Sequence, residues 1–169
     1  RSVTPHAFPV RTRFAMDPGY FLRATLARNS GMMAKSRLPC DSAGNDAKDI
    51  DVESNFPNDS DDKKTEFADN VVTVGALSYE YGEKIIAPFS NYGKMNVDVY
   101  APGMEIYATT PNNTYKYEQG TSMASPNVAG VAALIRSYFP NLTAKQVKYI
   151  LLNSGTTIDA KVAVGGDPK

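Results

Sequence analysis

Gly120-Thr121-Ser122-Met123-Ala124-Ser125-Pro126 runs directly into the apolar stretch Asn127-Val-Ala-Gly130-Val-Ala-Ala-Leu-Ile135. A serine at the head of a buried helix has its hydroxyl held rigidly, beside backbone N–H groups that lack a partner within the helix and point at developing negative charge. That setting suits an oxygen nucleophile attacking a carbonyl. Gly120 leaves room for a substrate backbone, Pro126 reads as a first-turn residue whose missing N–H matters little, and Gly130 as a point of close helix contact. A bare Gly-x-Ser is equally an ordinary helix cap, so the pattern alone leaves both readings open.

The complete string GTSMASPNVAGVAALI closely resembles the nucleophile segment of the subtilisin-like serine proteases, the subtilase family. The resemblance implies that Ser122 is the catalytic serine. Upstream, Ser42-Ala43-Gly44-Asn45-Asp46 is a turn when read alone, but it resembles the family segment whose asparagine helps form the oxyanion hole, a role that falls on Asn45. The chemistry is coherent, because the Asn45 side-chain amide and the Ser122 backbone N–H can both donate to a tetrahedral oxyanion. FADNVVTVGAL, FSNYG and Ala101-Pro102-Gly103 with Ile106 are similar to core and loop segments of the same family, so the likeness runs over about residues 42–155. By the same likeness Ser42, Ala43 and Gly44 line one wall of the substrate pocket, and Gly120 and Thr121 join them as substrate-binding residues.

Other parts of the family pattern do not appear in the sequence. A hydrolase of this class needs a histidine to take the serine proton and an aspartate to hold that imidazole, in the chain order Asp, His, Asn, Ser. The single histidine, His6, is followed by Ala-Phe-Pro and Asp17 by Pro-Gly; neither matches the His-Gly-Thr-His-like or Asp-Thr-Gly-like segment, and their order is reversed. His6 is therefore read as a loop histidine. Lys35-Ser-Arg-Leu-Pro39-Cys40-Asp41 stands where the family places a hydrophobic strand, and Pro39 argues against a central strand there. Two functions follow: a subtilisin-like serine endopeptidase acting on polypeptide, or a catalytically inactive remnant or protein-binding piece lacking the triad Asp and His. The missing N-terminal half of the catalytic domain is then a partner. Subtilases are usually exported and often calcium-stabilised, which implies an extracellular or cell-envelope setting and assigns no metal ligand.

These residues need elements to position them. Val71–Leu77 is a β-branched apolar run and reads as a strand, with further extended pieces at Lys84–Phe89, Asn96–Tyr100, Glu105–Thr109 and Tyr115–Glu118, and a turn at Pro111–Asn113. Val128, Val131, Ala132 and Ile135 recur at helical spacing in a helix from Pro126 to Phe139, which reads as buried on most sides. Thr143 and Gln146 make a capping box for a second helix with Val147, Ile150 and Leu151 on its apolar face, Lys145 and Lys148 on its wet face and Gly155 at its end. The tail beyond Thr157 reads as loop. The fold class is α/β, read as an incomplete, C-terminal part of a subtilisin-like three-layer domain with a mostly parallel sheet.

Composition bounds the rest. The chain has 169 residues with 18 Lys+Arg and 18 Asp+Glu, so no net field favours nucleic acid, and no apolar run is long enough to span a membrane. One cysteine, Cys40, and one histidine exclude an internal disulfide and a multi-His or multi-Cys metal centre, and Cys40 reads as incidental. Residues 1–40 carry seven basic groups against Asp17 alone, whereas 41–70 hold ten acids and three lysines. That shift sets a basic segment, 1–41, apart from a partial peptidase domain, 42–169. The acidic stretch reads as a solvated loop rather than a calcium site. The start shows no signal peptide, and the sequons at Asn58, Asn112 and Asn141 are short enough to arise by chance.

Overall fold

The computed structural model describes residues 7–11, 37–60, 62 and 65–161. Its centre is a three-stranded parallel sheet in the order β2 (Cys40–Ser42), β3 (Val72–Leu77), β4 (Val99–Pro102). All six residues of β3 are buried, as a strand covered on both faces requires. Gly75 sits in β3 because the Tyr100 ring of β4 lies where its Cβ would be.

One face of the sheet is covered by α1 (Thr121–Tyr138) and α2 (Ala144–Ser154). There Val72, Val74, Ala76, Val99 and Ala101 pack with Ala124, Val128, Val131, Ala132, Val147 and Leu151, with Ile135 at the margin. The opposite face is covered by irregular chain and by the strand near the C-terminus that carries Ala160, where Ala43, Ile50, Leu77, Ile86, Tyr92, Val97, Tyr100 and Ala160 form a second cluster. A hairpin of β5 (Ile106–Thr110) and β6 (Thr114–Glu118) leads from β4 to α1, turning through Asn112 and Asn113 at positive φ. This is an α/β fold with a parallel core and flanking helices. Among the described residues, no helix is long and apolar enough to cross a membrane.

The capping box forms as the sequence predicts, with the Thr143 hydroxyl accepting from the Gln146 amide and the Gln146 side chain from the Thr143 amide. Several other expectations are corrected. The strand that the family places ahead of Ser42 is present as the short β2, which begins one residue after Pro39, while Pro39 offers only its carbonyl, to Val72 N at 2.9 Å; in the described sheet β2 is an edge strand, so Pro39 is not followed by a central one. Lys84–Phe89 is not a strand; a 3-10 turn, Gly82–Lys84, precedes a single bridge between Leu77 and Ile86. The tail is not all loop, because β7 (Thr157–Lys161) pairs antiparallel with β1 (Ala7–Arg11).

Helix α1 begins at Thr121, five residues ahead of the predicted start, so Pro126 lies inside it rather than in the first turn. One face of this helix is exposed at Ser122, Pro126, Ala129, Gly130 and Leu134, so it is not buried on most sides. Gly130 faces open space, with nothing within 4 Å of where a Cβ would stand, and makes no close helix contact.

Candidate active site

The start of α1 is fixed from two directions. Gly120 N donates to Gly103 O at 2.8 Å, tying the approach to α1 to the end of β4. Gly103 has to be glycine, since its Cβ would lie 2.6 Å from Ala76 Cβ and 2.8 Å from Gly120 O. From the other side Ser125 Oγ donates to Cys40 O at 2.6 Å and pins the first turns of α1 to β2. Segments 42–45 and 120–122, far apart in sequence, thereby meet at one corner of the sheet.

Thr121 is fully buried there, and its amide and hydroxyl both donate to Asn45 Oδ1, at 2.9 and 3.0 Å. The same hydroxyl accepts from Gly44 N at 3.1 Å. With Oδ1 taken twice, the Asn45 amide is oriented, and its Nδ2 lies beside Gly120, 3.3 Å from the position of a Cβ there. Gly120 has φ 148°, a conformation that also favours glycine.

In this first turn the amides of Met123 and Ala124 donate to Gly120 O, and that of Thr121 to Asn45. The Ser122 N–H has no acceptor among the described residues. Ser122 itself is exposed as the second residue of α1, and the first turn holds no acidic side chain to offset the positive end of the helix dipole. Pro126 contributes no N–H to the Ser122 carbonyl. The corner thus combines an exposed hydroxyl, an unused N–H on the same residue and an oriented side-chain NH2, the donor set that suits a carbonyl oxygen gaining charge.

Of the sequence-derived wall residues, Ser42 is half-buried in β2 and Gly44 takes up φ 99°. Ala43 is wholly buried, with its N–H on Val74 O and its C=O accepting from Asn91, so it supports the corner from beneath. His6 and Asp17 lie outside the described residues. Burial, followed by the nearby Asp41 and Asp98 charges, pushes the Cys40 thiol up to about 11, so little thiolate exists near neutrality.

A second polar cluster lies where α2 meets the starts of β3 and β4, with Thr73 N donating to Asp98 Oδ2 at 2.9 Å. The carboxylates of Asp59, Glu66 and Asp98 are close enough to hold one cation, and the cation among them is the Lys148 ammonium. Its Nζ is 2.7 Å from Glu66 Oε2, 3.1 Å from Asp98 Oδ1 and 3.7 Å from Asp59 Oδ2. Lys148 is therefore not on the wet face of α2, and Asp59 is not part of a solvated loop: their side chains are 6% and 4% exposed. A calcium ion at the centre of this group would have to displace the ammonium, so the residues fit a lysine head rather than a metal. Burial raises the Asp98 carboxyl to about 6 against the pull of Lys148, and raises Asp59 likewise. Burial lowers the Lys148 ammonium, but the Asp98 and Glu66 carboxylates outweigh it and hold the group above its ordinary range.

The family model of the subtilases, Peptidase_S8, matches residues 9–165. Subtilisin DY of Bacillus licheniformis is 47% identical over 90 residues, covering 53% of this chain and 31% of the relative. Subtilisin-like protease 2 of Plasmodium falciparum is 36% identical over 137 residues, covering 73% of this chain and 10% of the relative. A crystal structure of a cold adapted subtilisin-like serine proteinase superposes with TM-score 0.49 at 30% identity, over 70% of this chain and 42% of that one. The chain spans less than a third of the length of either curated relative. With a family match over nearly its whole length, the chain belongs to the subtilase family of serine proteases.

Proposed function

We propose that this chain is the C-terminal, nucleophile-and-oxyanion portion of a subtilase catalytic domain, and that it is catalytically silent by itself. Ser122 is the nucleophile, and its own N–H with the Asn45 side-chain amide receives the oxyanion formed on a peptide carbonyl. Ser42, Ala43, Gly44, Gly120 and Thr121 surround the bound polypeptide, Ala43 and Thr121 from beneath.

The observation that carries this reading is the Thr121–Asn45 pairing, which turns the Asn45 NH2 toward the Ser122 corner. Proton transfer needs a base to accept the serine proton and return it to the leaving amine, and Ser122 and Asn45 supply neither function. We assign that work to a histidine and an aspartate on a polypeptide outside this sequence, the N-terminal half of the same domain. Membership in a family whose members are usually exported favours an extracellular or cell-envelope setting.

The test is reassembly. Co-expression with a subtilase N-terminal portion carrying Asp-Thr-Gly-like and His-Gly-Thr-His-like segments is expected to give peptide hydrolysis that Ser122→Ala abolishes and Asn45→Ala lowers in kcat by about 10²–10³-fold. Hydrolysis by a folded complex that is indifferent to either substitution overturns the assignment.

A further inference from the structure

Asn91 is only 1% exposed, in the loop between β3 and β4, and both ends of its side chain are committed to the segment that carries Asn45. Its Nδ2 donates to Ala43 O at 2.8 Å, and its Oδ1 accepts from Asp46 N and Lys48 N, both at 3.0 Å. Backbone bonds run alongside: Asn91 N donates to Gly44 O and Ala47 N to Phe89 O, each at 2.9 Å. Beneath them the Ser90 hydroxyl accepts from Ala76 N and donates to Asn91 O, both at 2.9 Å, which roots the assembly in β3.

Asn45 is thus gripped through its neighbours on both sides while its own side chain is turned to Thr121. The grip also accounts for Ala47 at φ 53°, a left-handed conformation that a residue with a Cβ holds only with outside support. Gly44 has no room for a side chain, since its Cβ would stand 2.5 Å from Asn91 Nδ2. Only a short amide meets the requirement of one donor and one acceptor at these places. Aspartate keeps the acceptor and loses the donor, leucine loses both, and glutamine is a methylene too long.

We infer that Asn91 is a positioning residue, which sets the backbone on either side of Asn45 so that its amide faces the Ser122 corner. The inference rests on the proposed oxyanion role of Asn45, but the grip on the loop can be measured with no ligand and no turnover. It involves neither the helix nor the missing base.

The experiment is amide exchange and side-chain NMR on the full chain, comparing Asn91→Ala, Asn91→Asp and Leu151→Val as a core control. In Asn91→Ala, exchange at Asp46 and Lys48 is expected to quicken by about tenfold relative to Val74 in β3, and the Asn45 side-chain NH2 pair to shift. Asn91→Asp keeps both acceptor bonds, so Asp46 and Lys48 remain slow relative to Val74 while the Asn45 pair still shifts through loss of the bond to Ala43. Leu151→Val should change no ratio. Unchanged ratios and an unmoved Asn45 pair in Asn91→Ala overturn the inference. Should that variant not fold, an unmoved Asn45 pair in Asn91→Asp does so alone. The oxyanion reading stands or falls separately, on Asn45→Ala in the reassembled enzyme.

Discussion

Thr121 and Asn45 are hydrogen-bonded twice, the amide and the hydroxyl of Thr121 both donating to the one oxygen Oδ1, although 76 residues separate them. The pairing fixes which end of the Asn45 amide faces the reactive corner. It also makes a buried hydroxyl structurally necessary, because Gly44 N depends on the same Thr121 Oγ1.

Thr121→Val keeps the shape and removes the hydroxyl, leaving Gly44 N without its acceptor and Asn45 with one donor fewer. We expect a loss of about 1–3 kcal/mol in urea unfolding, with Thr121→Ser recovering more than half of it. Equal stability of the valine and serine variants would show that the hydroxyl is not bonded as described.

Lys148 balances carboxylates that have little access to water. Lys148→Met removes the ammonium and leaves the charges of Asp59 and Asp98 buried together, at a cost of about 3–5 kcal/mol. Denaturant unfolding at pH 7.5 reads this directly. A loss below 1 kcal/mol would mean that water or another cation already serves the carboxylates.

The same cluster sets a pH dependence whose sign is opposite to that of an ordinary paired acid. Asp98 titrates at about 6 in the folded chain and at the ordinary 3.8 when unfolded, so between these values the folded state holds more protons. Stability is therefore expected to fall, by roughly 3 kcal/mol, as pH rises from about 4 to about 7. Asp98→Asn should lose at least half of that slope, the remainder coming from Asp59. A stability that climbs through this window in the unaltered chain refutes the assignment.

Cys40 should be a poor nucleophile while the chain is folded. Iodoacetamide at pH 8 is expected to label it at least about tenfold more slowly in the native chain than in urea, because burial holds the thiol protonated. Equal rates would place the thiol in water.

The sequence was most readable where interactions are local. Thr143 and Gln146 are three residues apart, so their capping box could be read directly, and β3 stood out because a doubly covered strand is a continuous β-branched run. Lys148 was misread because its partners Asp59 and Asp98 lie far off along the chain, and a helical lysine beside Lys145 has every local mark of a surface residue. The start of α1 was placed at Pro126 on local preference, whereas contacts of Gly120 with Gly103 and of Thr121 with Asn45 begin it earlier. β7 escaped notice because its partner, β1, lies at the other end of the chain. Ser122 and Asn45 were marked by a resemblance, but their proximity is a property of the folded corner. Asn91 was passed over inside FSNYG, since nothing about an asparagine in a loop announces three bonds to a segment more than 40 residues upstream.

The most direct measurement is fluorophosphonate labelling of the purified 169-residue chain beside Ser122→Ala, with mass spectrometry locating any adduct. A serine with oxyanion donors and no base should react slowly or not at all, so both proteins are expected to remain essentially unlabelled over the time in which a complete subtilase is fully modified. Rapid stoichiometric labelling at Ser122, absent from the alanine variant, would contradict this by showing that a general base lies within the chain.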